Sequence, residues 1–417
     1  MPLFFDAYAN CMTPPLLAAT GCHHNRAAHA TIPAQSLRAR PAPDPDLISP
    51  QHAAQLLAQQ MPKLRGLSGP PFLPRVLIVD DAEFDQAIGE GEAPDVSVHL
   101  GLLLSFWDRS LDDKNVKSSP SNWAQAFYQT SSNCIYLRSA RFADQLRNPS
   151  DALLTLAHEV EHYLQVGTEA TRPPGATIDA TLARMAVMEG DADLSADLFM
   201  NASAPAPKLL SALEHQASPT QGTLLVRVLG RVCTEGVHFV TGLYCYWVDF
   251  RLVDQVLRHL PASTAQVLHP RKYRDRESPT PLPTPTLPAG YARIADDSAG
   301  ELLLDELLAR CRNNADDLPP ATGWSGDRFS IAKSAAGSTA LSWLLTWDDD
   351  AFAARFATAV QAERGCLLAS ARLDSLDVVR AGGVVALTAG FPSDRNRALA
   401  LQLLQSVTAT TGPLATP

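Results

Sequence analysis

The sequence predicts an α+β protein, helix-rich in its first part with a small α+β unit at its C-terminal end. Three observations carry that expectation. Apolar residues recur at helical spacing over 153–164 and again over 178–200, and 222–260 is largely apolar. Pro279, Pro281, Pro283, Pro285 and Pro288 exclude a regular helix or central strand there. Beyond them, short strand candidates alternate with helical patterns, as in a compact mixed unit. The expected division is a leader over 1–22, a flexible tether over 23–50, a main domain over 51–273, a Pro-rich linker or arm over 274–292, and a C-terminal α+β domain over 293–412.

Taken in order, the leader contains Leu16-Leu17-Ala18-Ala19-Thr20-Gly21-Cys22, which has the form of a lipobox, although no Lys or Arg precedes Arg26. The following stretch is rich in Ala, Pro, His and Arg and reads as a tether. A short helix is expected over Gln51–Gln60, a strand over Arg75–Val79 and a helix over Asp81–Ile88. Three apolar runs follow at Val96–Leu104, Trp123–Tyr128 and Cys134–Leu137. The next helix has Ser150 as candidate N-cap, Asp151 in its first turn and Gly167 beyond its last apolar position. Leu153, Leu156, Ala157, Val160 and Leu164 form its apolar stripe, and His158, His162 and Gln165 lie on another face. A second helix is expected over Ile178–Met200, a loop over 202–207 and helical periodicity over 208–215 and much of 222–260. The C-terminal unit holds helices over 300–311, 349–363 and 398–405. Its strands are expected at 330–333, 339–347 and 384–388, with a hairpin across Ala335-Ala336-Gly337.

With 417 residues and 46% hydrophobic content the chain can bury a substantial core. Its net charge is −10 with Lys and Arg scattered, which argues against a nucleic-acid partner. No run of about 18 apolar residues spans a membrane as a helix. Attachment through a lipidated Cys22 is the membrane route the leader suggests. Removal of the leader would leave Cys134, Cys233, Cys245, Cys311 and Cys366, enough for at most two disulfides and forcing none.

Chemistry concentrates in His158-Glu159-Val160-Glu161-His162. On a helix, residues four apart share a face, so the two imidazoles can hold one Zn²⁺ with Glu159 beside it as general base. A catalytic zinc needs three protein ligands and one open position. Glu189 and Asp193, also four apart, supply a third ligand and a carboxylate for the outer N–H of a ligating histidine. Glu161 is read as solvent-facing. His238 either faces the same cleft or is a core histidine. His269 and Tyr273 are candidates for stabilising an oxyanion and orienting a substrate, or else belong to a structural turn.

These residues resemble the gluzincin branch of the zincin metallopeptidases, with His-Glu-x-x-His on one helix and Glu-x-x-x-Asp on the next. The resemblance implies zinc on His158, His162 and Glu189, a general base at Glu159 and a supporting carboxylate at Asp193. It also implies that the strand before the histidine helix, Ser132–Arg138, is an edge that pairs with an extended peptide. Residues 158–162, 189–192, 263–273 and 323–328 together are similar to a group of bacterial envelope metallopeptidases, which implies an exported lipoprotein. The leader departs from that group in lacking a basic start. The function expected is zinc-dependent hydrolysis of a peptide or protein substrate. A zinc-containing envelope protein that binds peptides without cleaving them is the alternative. An uncleaved leader would instead indicate a cytoplasmic protein or an effector protease. Oligomeric state is not encoded in any of these features.

Overall fold

The structure, a computed structural model, describes residues 49–67, 72–91, 94–111, 124–139, 142, 149–166, 176–201, 222–312 and 318–408. The leader with Cys22, nearly all of the tether, Gly167 and the 202–215 stretch lie outside the described residues. The fold is α+β. Helix α1 (Pro50–Arg65) begins at Ser49, whose hydroxyl accepts from the His52 amide, and ends on Gly66 in the left-handed region. It runs one and a half turns past the expected end. Strand β1 (Arg75–Val79), helices α2 (Asp81–Gly91) and α3 (Pro94–Trp107), and strands β2 (Ala126–Gln129) and β3 (Cys134–Arg138) follow.

These three strands form one sheet in the order β1-β3-β2, with β3 parallel to β1 and antiparallel to β2. Ser132–Arg138 is therefore not an edge. Both sides of β3 already pair, because β1, 59 residues earlier at the Arg75–Cys134 register, returns beside it. Among the described residues the open edges belong to β1 and β2.

Helix α4 (Pro149–Gln165) carries the two histidines. It begins at Pro149, so Ser150 is its second residue rather than its N-cap. Its stripe of Leu153, Leu156, Ala157, Val160 and Leu164 packs on Leu57 and Met61 of α1 and on Ile135 and Leu137 of β3. Each large apolar side chain buried this way contributes roughly 1.5–3 kcal/mol relative to exposure. The histidines are left on the opposite, half-buried face.

Helix α5 (Ile178–Met200) is capped by Thr177, and α6 (Leu224–Trp247) by Thr223. The two helices meet where Gly190 faces Gly236. A Cβ on Gly190 would overlap the Gly236 carbonyl, and one on Gly236 would overlap the Ala186 carbonyl. Helix α6 ends at Val248 in the left-handed region, and α7 (Arg251–Arg258) follows, so the 222–260 stretch is two helices. Two short helices, α8 (Thr264–Leu268) and α9 (Pro270–Asp275), occupy the segment expected to be a turn.

The proline-rich segment is an arm laid against the second sheet. The Thr280 amide donates to the Ser325 carbonyl, and Gly326 lies so close to the Thr280 carbonyl that a Cβ would clash. The second sheet is antiparallel, in the order β4-β5-β6-β8-β7, from β4 (Tyr291–Asp297), β5 (Trp324–Ser334), β6 (Thr339–Trp347), β7 (Leu376–Ala381) and β8 (Val384–Ala389). Helices α10 (Gly300–Ala309), α11 (Asp350–Ala362), α12 (Arg364–Ala371) and α13 (Ser393–Thr408) pack around it. A disulfide joins Cys311, just beyond α10, to Cys366 in α12. One buried apolar cluster runs without a break from α5 and α6 through α10 to β5 and β6, so the core continues across the arm.

Candidate metal centre

Helices α4 and α5 lie side by side and present His158, His162 and Glu189 to one another. One ligand atom from each falls within 4.8 Å of the other two. His158 Nε2 is 3.1 Å from His162 Nε2 and 3.2 Å from Glu189 Oε2, and His162 Nε2 is 3.7 Å from Glu189 Oε1. Four ligands at 2.0–2.1 Å around a tetrahedral ion are spaced about 3.4 Å apart, so these separations bracket what a zinc ion requires.

The outer ring nitrogens are held from behind. His158 Nδ1 lies 2.7 Å from Asp193 Oδ1, and His162 Nδ1 lies 2.9 Å from Gln165 Oε1. Both partners accept a hydrogen bond from Nδ1–H, so in the neutral rings that a metal would take each Nε2 keeps its lone pair, directed at the cluster. Two lone pairs 3.1 Å apart repel unless a cation or proton lies between them. A neutral two-histidine, one-carboxylate set is what zinc takes in catalytic sites, and it leaves one position open. The residues therefore fit the ion.

Charge in the metal-free cluster follows the same logic. Burial works against a charged His158, but Asp193 and Glu189 outweigh it and hold the ring well above the ordinary histidine value. His162 is also raised, with Glu189 overcoming burial. Burial opposes ionisation of Glu189, yet the two histidines hold it below the usual carboxylate range.

Glu159 is 5% exposed. Burial raises its carboxyl, and the two histidines and the Tyr128 amide, which donates to it, oppose that rise. Its Oε2 has no partner among the described residues. A buried carboxylate oxygen without a donor is costly in a folded protein, and here it belongs to the residue between the two histidines.

Contrary to what its place on the helix suggests, Glu161 does not face solvent. It is fully buried and receives Arg65 Nε at 2.8 Å. Arg65 also donates through Nη2 to Asp191 at 3.2 Å and faces Asp254 through Nη1 at 3.0 Å. Gln165 joins that network by donating to Asp191 at 2.9 Å. Reading the chain as a sequence missed Arg65, Gln165 and Asp191 as supports of the site. The signals the sequence held were Gln165 on the histidine face of α4 and Asp191 within the 189–192 segment.

His269 and Tyr273 are engaged elsewhere. His269 Nε2 is 2.7 Å from Glu301, and the Tyr273 hydroxyl donates to the His259 carbonyl at 2.6 Å. Glu301 adjoins Gly300, which abuts Asp179 at the first turn of α5. Glu189 lies ten residues further along that helix, about 15 Å at 1.5 Å per residue. Neither side chain reaches the cluster in this arrangement. His238 also lies outside it, with Nδ1 3.6 Å from Glu235. The Cys233 thiol of α6 is held far up, by burial first and then by Glu189 and Asp193, and so stays protonated.

A family model described as a domain of unknown function (DUF8575) matches residues 288–396. No curated protein and no solved structure matches the chain. The matched span begins just before β4 and ends within α13, so it contains none of the cluster residues. It does contain the groups that fix the first turn of α5. Asp297 Oδ1 accepts from the Ile178 amide at 3.0 Å, and the Ser298 carbonyl accepts from the Asp179 amide at 3.1 Å. Asp327 in turn receives the Ala299 and Gly300 amides and the Trp343 indole N–H. The C-terminal sheet thus anchors the helix that carries Glu189.

Proposed function

We propose that this protein is a zinc-dependent peptide hydrolase of zincin type, with His158, His162 and Glu189 holding the ion. The observation that carries this reading is the convergence of two Nε2 lone pairs and a carboxylate at tetrahedral spacing, with both Nδ1 atoms satisfied from behind. When bound, zinc supplies Lewis-acid polarisation of a carbonyl and lowers the pKa of water to about 7. Glu159, buried and with one oxygen unpartnered, takes a proton from the attacking water and returns it to the leaving amine. Asp193 orients His158 and balances its charge.

Strand β2 is the candidate docking edge for an extended peptide. Tyr128 turns its amide to Glu159, away from β3, and in a strand the carbonyl of the same residue points the same way. Ala126 has the same orientation, so the Ala126 main-chain groups and the Tyr128 carbonyl face away from β3 on the side of the general base, where an extended peptide could pair. The oxyanion role expected of His269 or Tyr273 has no part in this reading, because both side chains are engaged elsewhere.

Export to the cell envelope is part of the proposal. It is supported by the Cys311–Cys366 disulfide, since such bonds persist in oxidising compartments. The deciding experiment is metal analysis with a chelator-sensitive peptidase assay on wild type and Glu159→Gln. The variant is expected to retain zinc while hydrolysis falls by about 10²–10⁴-fold. Full activity in Glu159→Gln would reject the mechanism. Stoichiometric zinc with no hydrolysis of any peptide by wild type would favour a peptide-binding protein instead.

A further inference from the structure

A polar network lies behind His162, and its hydrogen-bond directions are over-determined. Gln165 Nε2 donates to the Met188 carbonyl at 3.0 Å and to Asp191 Oδ2 at 2.9 Å. Both amide protons are thereby committed, and the amide oxygen is turned to His162 Nδ1 at 2.9 Å. An amide oxygen only accepts, so Nδ1 carries the ring proton and Nε2 keeps its lone pair. Turning the amide over would set its oxygen against a carboxylate and a carbonyl. Asp191 cannot swing away to relieve that clash, because its carboxylate is pinned by Arg65, which is itself held by Glu161. All four groups of this relay are buried.

We propose that Gln165, held by Arg65 through Asp191, is a positioning residue that locks His162 in the Nδ1–H tautomer and so keeps Nε2 open to a metal ion. The proposal rests on reading His162 as a zinc ligand, but the tautomer is a property of the metal-free protein and is measured without zinc. Helix α1, which carries no motif residue, thereby acts on the site at one remove.

The test compares wild type, Gln165→Leu and Gln165→Glu as full chains. Histidine-ring ¹⁵N–¹H NMR of the metal-free proteins, at a pH where the ring is neutral, reads the tautomer. Competition between each protein and a chromophoric chelator for Zn²⁺ alone reads the affinity. Wild type is expected to show His162 as Nδ1–H. Gln165→Leu removes the acceptor, so the tautomers mix and zinc affinity falls by about 10–100-fold. Gln165→Glu restores an acceptor and is expected to recover the Nδ1–H form and most of the affinity.

A purely structural role predicts the opposite order, because Gln165→Glu sets a second buried carboxylate against Asp191. An Nε2–H tautomer in wild type, or an unchanged affinity in Gln165→Leu, overturns the proposal. If Gln165→Leu fails to fold, the wild-type tautomer and the Gln165→Glu affinity still decide. An Nδ1–H tautomer in a wild type that binds no zinc overturns the zinc reading and leaves the lock standing.

Discussion

Two charge clusters share helices α4 and α5, and they treat the same kinds of residue in opposite ways. In the first, His158, His162 and Glu189 are half-buried, and one ligand atom from each converges within 4.8 Å of the other two. In the second, Glu161 and Asp191 are fully buried and close around Arg65. Glu161 and His162 are neighbours in sequence, yet the turn of the helix sends one to each cluster. The difference is in where the cation comes from. The Arg65 cluster carries its own and needs nothing further. The histidine cluster has no Arg or Lys among its described partners, and its positive charge comes from its own rings, both held above the ordinary histidine value. Charged residues near a motif are therefore not interchangeable evidence for a metal: what separates the two is whether the lone pairs are already used.

That contrast predicts different responses to removing the cation. Arg65→Met would leave Glu161, Asp191 and Asp254 uncompensated and is expected to cost about 3–5 kcal/mol, measured by denaturant unfolding. Most of the loss should persist in chelator, because it arises within the Arg65 cluster itself. A cost that vanished when zinc was stripped would merge the two clusters and break the distinction.

The histidine cluster should respond to zinc instead. Free zinc at 100-fold its Kd stabilises the native protein by about 2.7 kcal/mol if the unfolded chain does not bind it. Glu189→Ala is expected to lose most of that gain, measured against the variant's own metal-free stability. An undiminished gain would move the third ligand to Asp193 or another carboxylate.

The same contrast explains what could be read from the sequence. Helical periodicity was enough to place His158, His162, Glu189 and Asp193, because each pair is local and four residues apart. It could not reveal Arg65, whose partners Glu161 and Asp191 are 96 and 126 residues away. Without that partner, Glu161 looks like any charged residue on a polar helix face. Strand β3 was misread for the same reason. Its pattern marks a strand, but its place between β1 and β2 is set by a long-range parallel pairing. Strands β4 and β7 gave no strong local signal. Tyr291–Asp297 pairs with β5, and Leu376–Ala381, whose β-branched residues are only Val378 and Val379, pairs with β8. The Thr264, His269 and Asp327 segments did stand out as motifs, yet the structure spends their polar groups on a buried joint between α5, α8, α10 and β5.

The smallest expected effect sharpens the account of the Arg65 cluster itself. One guanidinium faces three carboxylates, so not all of them ionise at no cost. Burial and the Asp191 charge push Glu161 up to about 8, against the pull of Arg65. Asp179 and Asp305 are likewise pushed up to about 7, chiefly by burial. In the unfolded chain these groups release their protons near pH 4, whereas in the folded one they hold them to pH 7 or 8. Between those limits the native state binds more protons than the unfolded state, so stability falls as pH rises. The raised histidines of the metal-free site act in the same direction, and Glu189, held low, has completed its contribution by pH 5. The Tm of metal-free protein is therefore expected to decline from pH 5 to pH 8. Glu161→Gln keeps an acceptor for Arg65 and removes one titration. At pH 7 it should lie within about 1 kcal/mol of wild type, the size of a single neutral hydrogen bond. Its decline should be shallower, by up to about 1.4 kcal/mol per pH unit where the proton difference is complete. An identical slope would mean that Glu161 is ionised throughout and that the excess proton of the Arg65 cluster resides elsewhere, with Asp254, also raised by burial, the candidate.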